Sequence, residues 1–201
     1  VLQSIPQYVK WFSEVYTSKE MYTDEKIDID QVTDAIAAFE ETLTTPNSRF
    51  DQWLIGYDKS ISESELEGYI LFKDKGCISC HNGVGVGGNS YQKFGMAKPY
   101  DKDTNTLGRY NVTNDDKDKY VFKVPLLRNI ELTAPYFHDA STWDLGEAVN
   151  IMAKYQLGTT LTDDETEKIV AFLRTLTGDQ PSIIFPILPP ATPTTPEPNQ
   201  N

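Results

Sequence analysis

A mainly α-helical fold with long loops is predicted by three features of this sequence. Ser62 with Glu65 and Thr162 with Glu165 both carry the Ser/Thr-x-x-Glu signature of a capped helix start. Apolar residues recur at three- and four-residue steps behind each of them, and again in the N-terminal quarter. The only two cysteines, Cys77 and Cys80, stand directly before His81 in the stretch GCISCH. C-x-x-C-H is the attachment signal of a c-type haem. The two thiols add across the vinyl groups of the ring, and the adjacent histidine faces the iron.

Residues 1–56 read as helical. After Pro6, Val9, Phe12 and Val15 or Tyr16 fall on one face. A second helix has Asp30 as its expected N-cap and a stripe of Ile29, Val32, Ile36, Phe39 and Leu43, whose expected role is packing. Thr45-Pro46-Asn47-Ser48 ends it. The third helix starts at Ser62, carries Leu66, Tyr69, Ile70 and Phe72, and stops where Gly76 takes the left-handed C′ position. Behind His81 lie Gly83, Gly85, Gly87 and Gly88. No Lys-Ser/Thr follows them, so this is not a phosphate loop. Small residues there let backbone lie close against a flat ring.

Residues 98–119 are polar and read as a surface loop. Tyr120–Asn129 and Leu132–His138 are too aromatic and proline-broken for a long helix, and read as extended chain lining a pocket. Leu145 to Tyr155 is expected as a short amphipathic helix containing Met152. The closing helix starts at Thr162, carries Ile169, Val170, Phe172, Leu173 and Leu176, and ends at Gly178. In the tail, the apolar run Ile183–Leu188 is expected to lie on a core surface. The proline-rich end is expected to be polyproline-like or disordered.

Other readings of the cysteine pair are weaker. Zinc needs about four ligands, and His138 is the only further histidine. A redox dithiol has no need of the neighbouring histidine. A disulfide over two intervening residues would restrain little.

Composition is that of a globular chain: 39% hydrophobic and 24% charged residues. The net charge of 18 − 30 = −12 argues against a nucleic-acid partner and suits a basic protein partner. No stretch approaches the roughly 20 apolar residues of a membrane span. No signal peptide is visible at Val1, so the chain reads as a processed form or a fragment. Covalent haem attachment in bacteria takes place outside the cytoplasmic membrane, which implies a periplasmic location.

A helix before the haem motif, a distal methionine and a closing helix make the plan of a cytochrome c-like haem domain, here preceded by additional helices. A thioether ligand raises the iron's potential and favours electron transfer. Of the three methionines, Met152 is the expected second ligand. Met96, His138 and an open position are the alternatives, and Met21 reads as packing. Arg109 and Arg128 lie nearest the pocket-lining stretch, where either is a candidate for a haem propionate.

The segments GCISCHNGVGVGG, YVFKVPLLRN, LTAPYFHDAS and AVNIMAKYQLG together resemble the carboxy-terminal part of the bacterial di-haem cytochrome c peroxidases. The resemblance covers essentially the whole chain. It implies that His81 and Met152 ligate the high-potential, electron-transfer haem. It implies hydrogen peroxide reduction to water with electrons from a small cytochrome c or a cupredoxin. It further implies a calcium ion taking backbone carbonyls of Thr133 and Pro135, and a periplasmic homodimer.

With one haem motif where the family has two, the chain would receive and relay electrons. The peroxidatic haem would belong to an N-terminal domain not contained in it. On this reading residues 1–45 are closing helices of that domain, 46–180 the haem domain, and 181–201 an extended tail packing back towards the missing part. His138 is expected to have a structural hydrogen-bonding role, and Trp143 to be packed, with electron passage as its alternative. A stand-alone mono-haem electron carrier is the competing function. Related di-haem enzymes that mature a tryptophan-derived quinone carry tyrosine where Met152 stands.

Overall fold

The computed structural model describes residues 1–16, 26–100 and 106–197. It divides into two compact units, Thr45–Asp179 and a second made of Val1–Thr44 with Gln180–Asn201.

In the second unit, α1 (Pro6–Tyr16) opens on a proline whose missing N–H costs nothing in a first turn. Helix α2 (Ile29–Glu40) is capped by Asp28, not by Asp30 as expected. The Asp28 carboxylate accepts from the Gln31 amide at 2.8 Å, and Gln31 Oε1 accepts from the Asp28 amide at 3.3 Å. Gln31 stands three residues after Asp28, which completes a reciprocal box; Asp30 lies inside the first turn, where its charge suits the helix dipole. The α2 stripe does not pack as expected: Ile29, Ile36, Phe39 and Leu43 are all exposed. Ile183–Leu188 likewise stands in solvent rather than on a core. The tail returns to its own unit where Thr192 Oγ1 donates to the Ser4 carbonyl at 3.2 Å.

The larger unit holds the haem motif. Ser48 caps α3 (Arg49–Leu54), and Ser62 caps α4 (Glu63–Asp74) through the predicted box with Glu65. Arg49 joins the two helices by a bidentate pair with Glu65 at 2.6 and 2.9 Å. Gly76 follows α4 in the left-handed conformation and turns the chain into a 3₁₀ turn at Cys77–Ser79. A two-stranded antiparallel sheet pairs β1 (Tyr91–Lys93) with β2 (Val121–Lys123), Gln92 opposite Phe122. Between the strands, the expected loop contains α5 (Tyr110–Thr113) and a 3₁₀ turn at Asp116–Asp118. The predicted amphipathic helix is α6 (Leu145–Ile151), which continues as a π-helix from Met152 to Leu157. The closing helix α7 (Asp163–Arg174) starts at the predicted Thr162–Glu165 box.

α4 crosses α7 as the most extensive helix pair among the described residues. Ile169, Phe172, Leu173 and Leu176 form the buried stripe of α7 and its extension, joined in the core by Phe50, Phe72, Val86 and Leu127. Phe172 is the hub, with ring centroids 5.1–5.3 Å from those of Phe50, Tyr69 and Phe72. Gly68 makes the crossing possible, since a Cβ there would overlap the Lys168 backbone carbonyl.

Candidate haem site

Immediately after the α4–α7 crossing the chain opens a cavity of about 550 Å³, in the range of cofactor sites. Cys77, Cys80 and His81 line it from the 3₁₀ turn behind α4, and Met152 lines it from the first turn of the π-helix. Most of the remaining wall is apolar, including Phe72, Val124, Leu127, Leu145, Ile169 and Leu173. Such a lining excludes water and accepts the hydrophobic body of a porphyrin.

The donor set fits a covalently held haem. Both cysteines are free and half-buried. Burial pushes the Cys77 thiol up to about 11, opposed by its own backbone and reinforced by Cys80. His81 is buried, and burial lowers its pKa so that the imidazole is neutral at pH 7, as an iron ligand must be. Its Nδ1 makes no hydrogen bond of good geometry, although the backbone carbonyls of Val86 and Pro125 lie beside it and favour a proton there. A proton on Nδ1 leaves Nε2 bare for the metal.

The distal wall is aromatic. His138 stacks on Phe122 with centroids 4.0 Å apart and meets the edge of Phe94 at 6.0 Å. Burial lowers its pKa, against the opposing charge of Asp139. Phe94 also packs on Tyr100 and Phe137 at 4.8 and 5.5 Å.

The structure thus brings Cys77, Cys80, His81, Met152 and His138 to one cavity, together with Thr133 and Pro135. Met96 is not on its wall and is 62% exposed. Met21 lies outside the described residues. Trp143, expected to be packed, is 73% exposed and off the cavity.

Neither arginine lines the cavity. Arg128 is committed elsewhere: it binds Asp51 bidentately at 2.7 and 2.8 Å and donates from Nε to the Val84 carbonyl. Arg109 pairs with Asp118 at 3.2 Å and lies over the Tyr91 ring. Both arginines, expected as propionate partners, are thus engaged by neighbouring carboxylates away from the cavity wall. The cations on the cavity wall are Lys75, Lys93 and Lys123. Lys75 is tied to Glu165 at 2.6 Å. Lys93 and Lys123, exposed on the paired strands, were not singled out by sequence, where only the place of Lys123 in extended, pocket-lining chain hinted at it.

A calcium cage is a different matter. Two carbonyls fall short of the six to eight oxygens that calcium takes. Among the described residues no group of three or more His, Cys, Asp or Glu side chains converges on a metal position. The residues present do not by themselves make that site, and no step below uses it.

Comparison with known proteins agrees with this geometry. A family model described as di-haem cytochrome c peroxidase matches residues 1–60, and the cytochrome c model matches residues 66–177. The cytochrome c551 peroxidase of Nitrosomonas europaea is 53% identical over 196 residues, 98% of this chain and 57% of that protein. The cytochrome c551 peroxidase of Pseudomonas aeruginosa is 43% identical over 200 residues, again 98% of this chain and 57% of its own length. The crystal structure of a MauG-like protein associated with microbial copper homeostasis superposes with a TM-score of 0.71 at 27% identity, over 86% of this chain and 59% of that one. The chain spans somewhat more than half the length of the curated relatives it matches. It belongs to the cytochrome c family and, within it, to the di-haem cytochrome c peroxidase group.

Proposed function

We propose that this chain is the electron-relay part of a di-haem cytochrome c peroxidase, working in the periplasm. The complete protein would reduce hydrogen peroxide to two waters, consuming two electrons and two protons. The electrons would come from a small redox protein, a cytochrome c or a cupredoxin, and pass through this chain to a peroxidatic haem in an N-terminal domain. The observation that carries the reading is the meeting of Cys77, Cys80, His81 and Met152 on one apolar cavity.

Each residue has a role in the relay. Cys77 and Cys80 would hold the ring by thioether bonds, and His81 would offer a neutral imidazole. Met152 would offer a thioether sulfur, a ligand that favours the reduced state of the iron. The apolar walls exclude water, so that little reorganisation accompanies each electron. When bound, the haem supplies a one-electron couple. Lys93 and Lys123, on the cavity wall, would be the cations available to its propionates. The open apolar stripe of α2 and the open run Ile183–Leu188 support a further domain, or a second copy in a homodimer, covering them.

Met152→His tests the assignment. The ferric holo-protein should show the weak near-infrared sulfur-to-iron charge-transfer band, and the variant should lose it while its potential falls. Absence of the band from the wild type would overturn Met152 as ligand.

The single haem motif favours one competing reading, a mono-haem electron carrier with no catalysis of its own. Peroxide consumption with a reduced cytochrome as donor, measured with calcium present on the full-length gene product and on this chain alone, separates the two. Turnover by the full-length protein only supports the relay.

A further inference from the structure

Gln156 has no part in the roles above, yet its side chain grips a distant stretch of backbone at both ends of its amide. Oε1 accepts from the Gly95 amide at 3.0 Å and from the Met96 amide at 3.5 Å, while Nε2 donates to the Lys93 carbonyl at 3.1 Å. The gripped residues flank Phe94 at the end of β1. Next to Gln156, the Tyr155 carbonyl accepts from the amides of Ala97 and Lys98 at 3.0 and 3.2 Å. Gly158 closes the segment in the left-handed conformation, where a Cβ would stand 3.0 Å from that of Ala97. Two consecutive residues of one short element, Tyr155 and Gln156, are thus bound to residues 93–98.

That element is the π-helix that begins at Met152. A π-turn is rare and less favourable than the α-helix it replaces, so outside contacts must hold it. Reversion to α-helical geometry would turn side chains on one side of the wide turn by about 100° per residue of register relative to the other. Met152, Ala153, Gln156 and Leu157 all line the haem cavity, so such a turn would carry the thioether with it.

We propose that Gln156 is a positioning residue for Met152: by locking the π-helix to the backbone of Lys93, Gly95 and Met96, it sets the depth and rotation at which the sulfur enters the cavity. The inference rests on Met152 being the second ligand. Without the clamp the methionine yields more readily to an added ligand.

The test compares ferric wild-type holo-protein with Gln156→Ala, Gln156→Glu and Met152→Ala. Its readouts are the near-infrared charge-transfer band and the Kd for added imidazole. Gln156→Ala should weaken the band and tighten imidazole binding on the order of tenfold, since the clamp's hydrogen bonds oppose displacement. Gln156→Glu keeps an acceptor for the Gly95 amide and loses the donor to Lys93, so it should fall between. If Met152→Ala changes both readouts while Gln156→Ala matches the wild type, the positioning role is overturned and Met152 remains the ligand. If Met152→Ala also matches the wild type, Met152 is not the ligand and the inference falls with it. Should Gln156→Ala fail to take up haem, Gln156→Glu decides by the same criteria.

Discussion

At position 87 a Cβ would overlap the Pro125 carbonyl oxygen and stand 3.2 Å from His81 Nδ1, on a backbone with φ of +127°. The missing side chain is what lets the 83–88 loop close over the proximal histidine. Gly87→Ala adds overlap with backbone and a strained φ, neither of which a rotamer change relieves. We expect a loss of about 2–4 kcal/mol of stability and a reduced yield of haem-loaded protein, read by urea denaturation and by the Soret-to-protein absorbance ratio. Wild-type stability in the variant would mean that the loop does not constrain His81. The C-x-x-C-H motif was legible in the sequence because covalent chemistry fixes its spacing. Gln156 was not, because a glutamine announces nothing until the fold brings Gly95 and Lys93 to it. The pairing of Arg109 and Arg128 was hidden for a related reason: a guanidinium shows its chemistry but not its partner, and Asp118 and Asp51 were invisible as partners until the chain folded.

Helix boundaries were legible wherever side chain and backbone cap each other locally, as at Ser62–Glu65 and Thr162–Glu165. The same local logic moved the start of α2 to Asp28, where Gln31 was overlooked as the reciprocal partner. The π-helix had no such sign, because its width depends on contacts from residues 93–98 rather than on its own sequence. Between α4 and α7 two effects of opposite sign meet at Gly68. Alanine would favour an isolated helix by about 1 kcal/mol. Its Cβ would also overlap the Lys168 carbonyl and sit 3.1 Å from Phe172 Cβ, so the helices must separate across the core. Overpacking against backbone costs about 1–3 kcal/mol or more and should win. Gly68→Ala is therefore expected to lower the unfolding midpoint, with Gly68→Val worse. A stabilised alanine variant would show that the crossing has slack.

Across the whole molecule, a net charge of −12 means that carboxylates repel one another at neutral pH, and mild acid relieves part of that strain. One pair works in the opposite direction. Asp51 on α3 holds Arg128, and the same guanidinium holds the Val84 carbonyl in the loop behind His81, so three distant segments meet on one side chain. The Arg128 hydrogen bonds are the largest influence on Asp51, and with help from Ser48 they outweigh burial and lower its pKa below the usual carboxylate value. A depressed folded-state pKa stabilises the fold above the unfolded value of about 3.9, and that contribution disappears as pH falls through the lower, folded value. Both side chains are partly exposed, so solvent discounts the pair to about 1–2 kcal/mol. Asp51→Asn should be less stable than the wild type by that amount at pH 7, and the gap should narrow as pH falls below the unfolded carboxylate value of about 3.9. Urea unfolding of both proteins between pH 7 and pH 3 measures it, and because the remaining acidic groups are common to both, their repulsion cancels in the difference. A gap independent of pH would mean that the aspartate acts through its shape rather than its charge, and that Arg128 holds the haem loop without it.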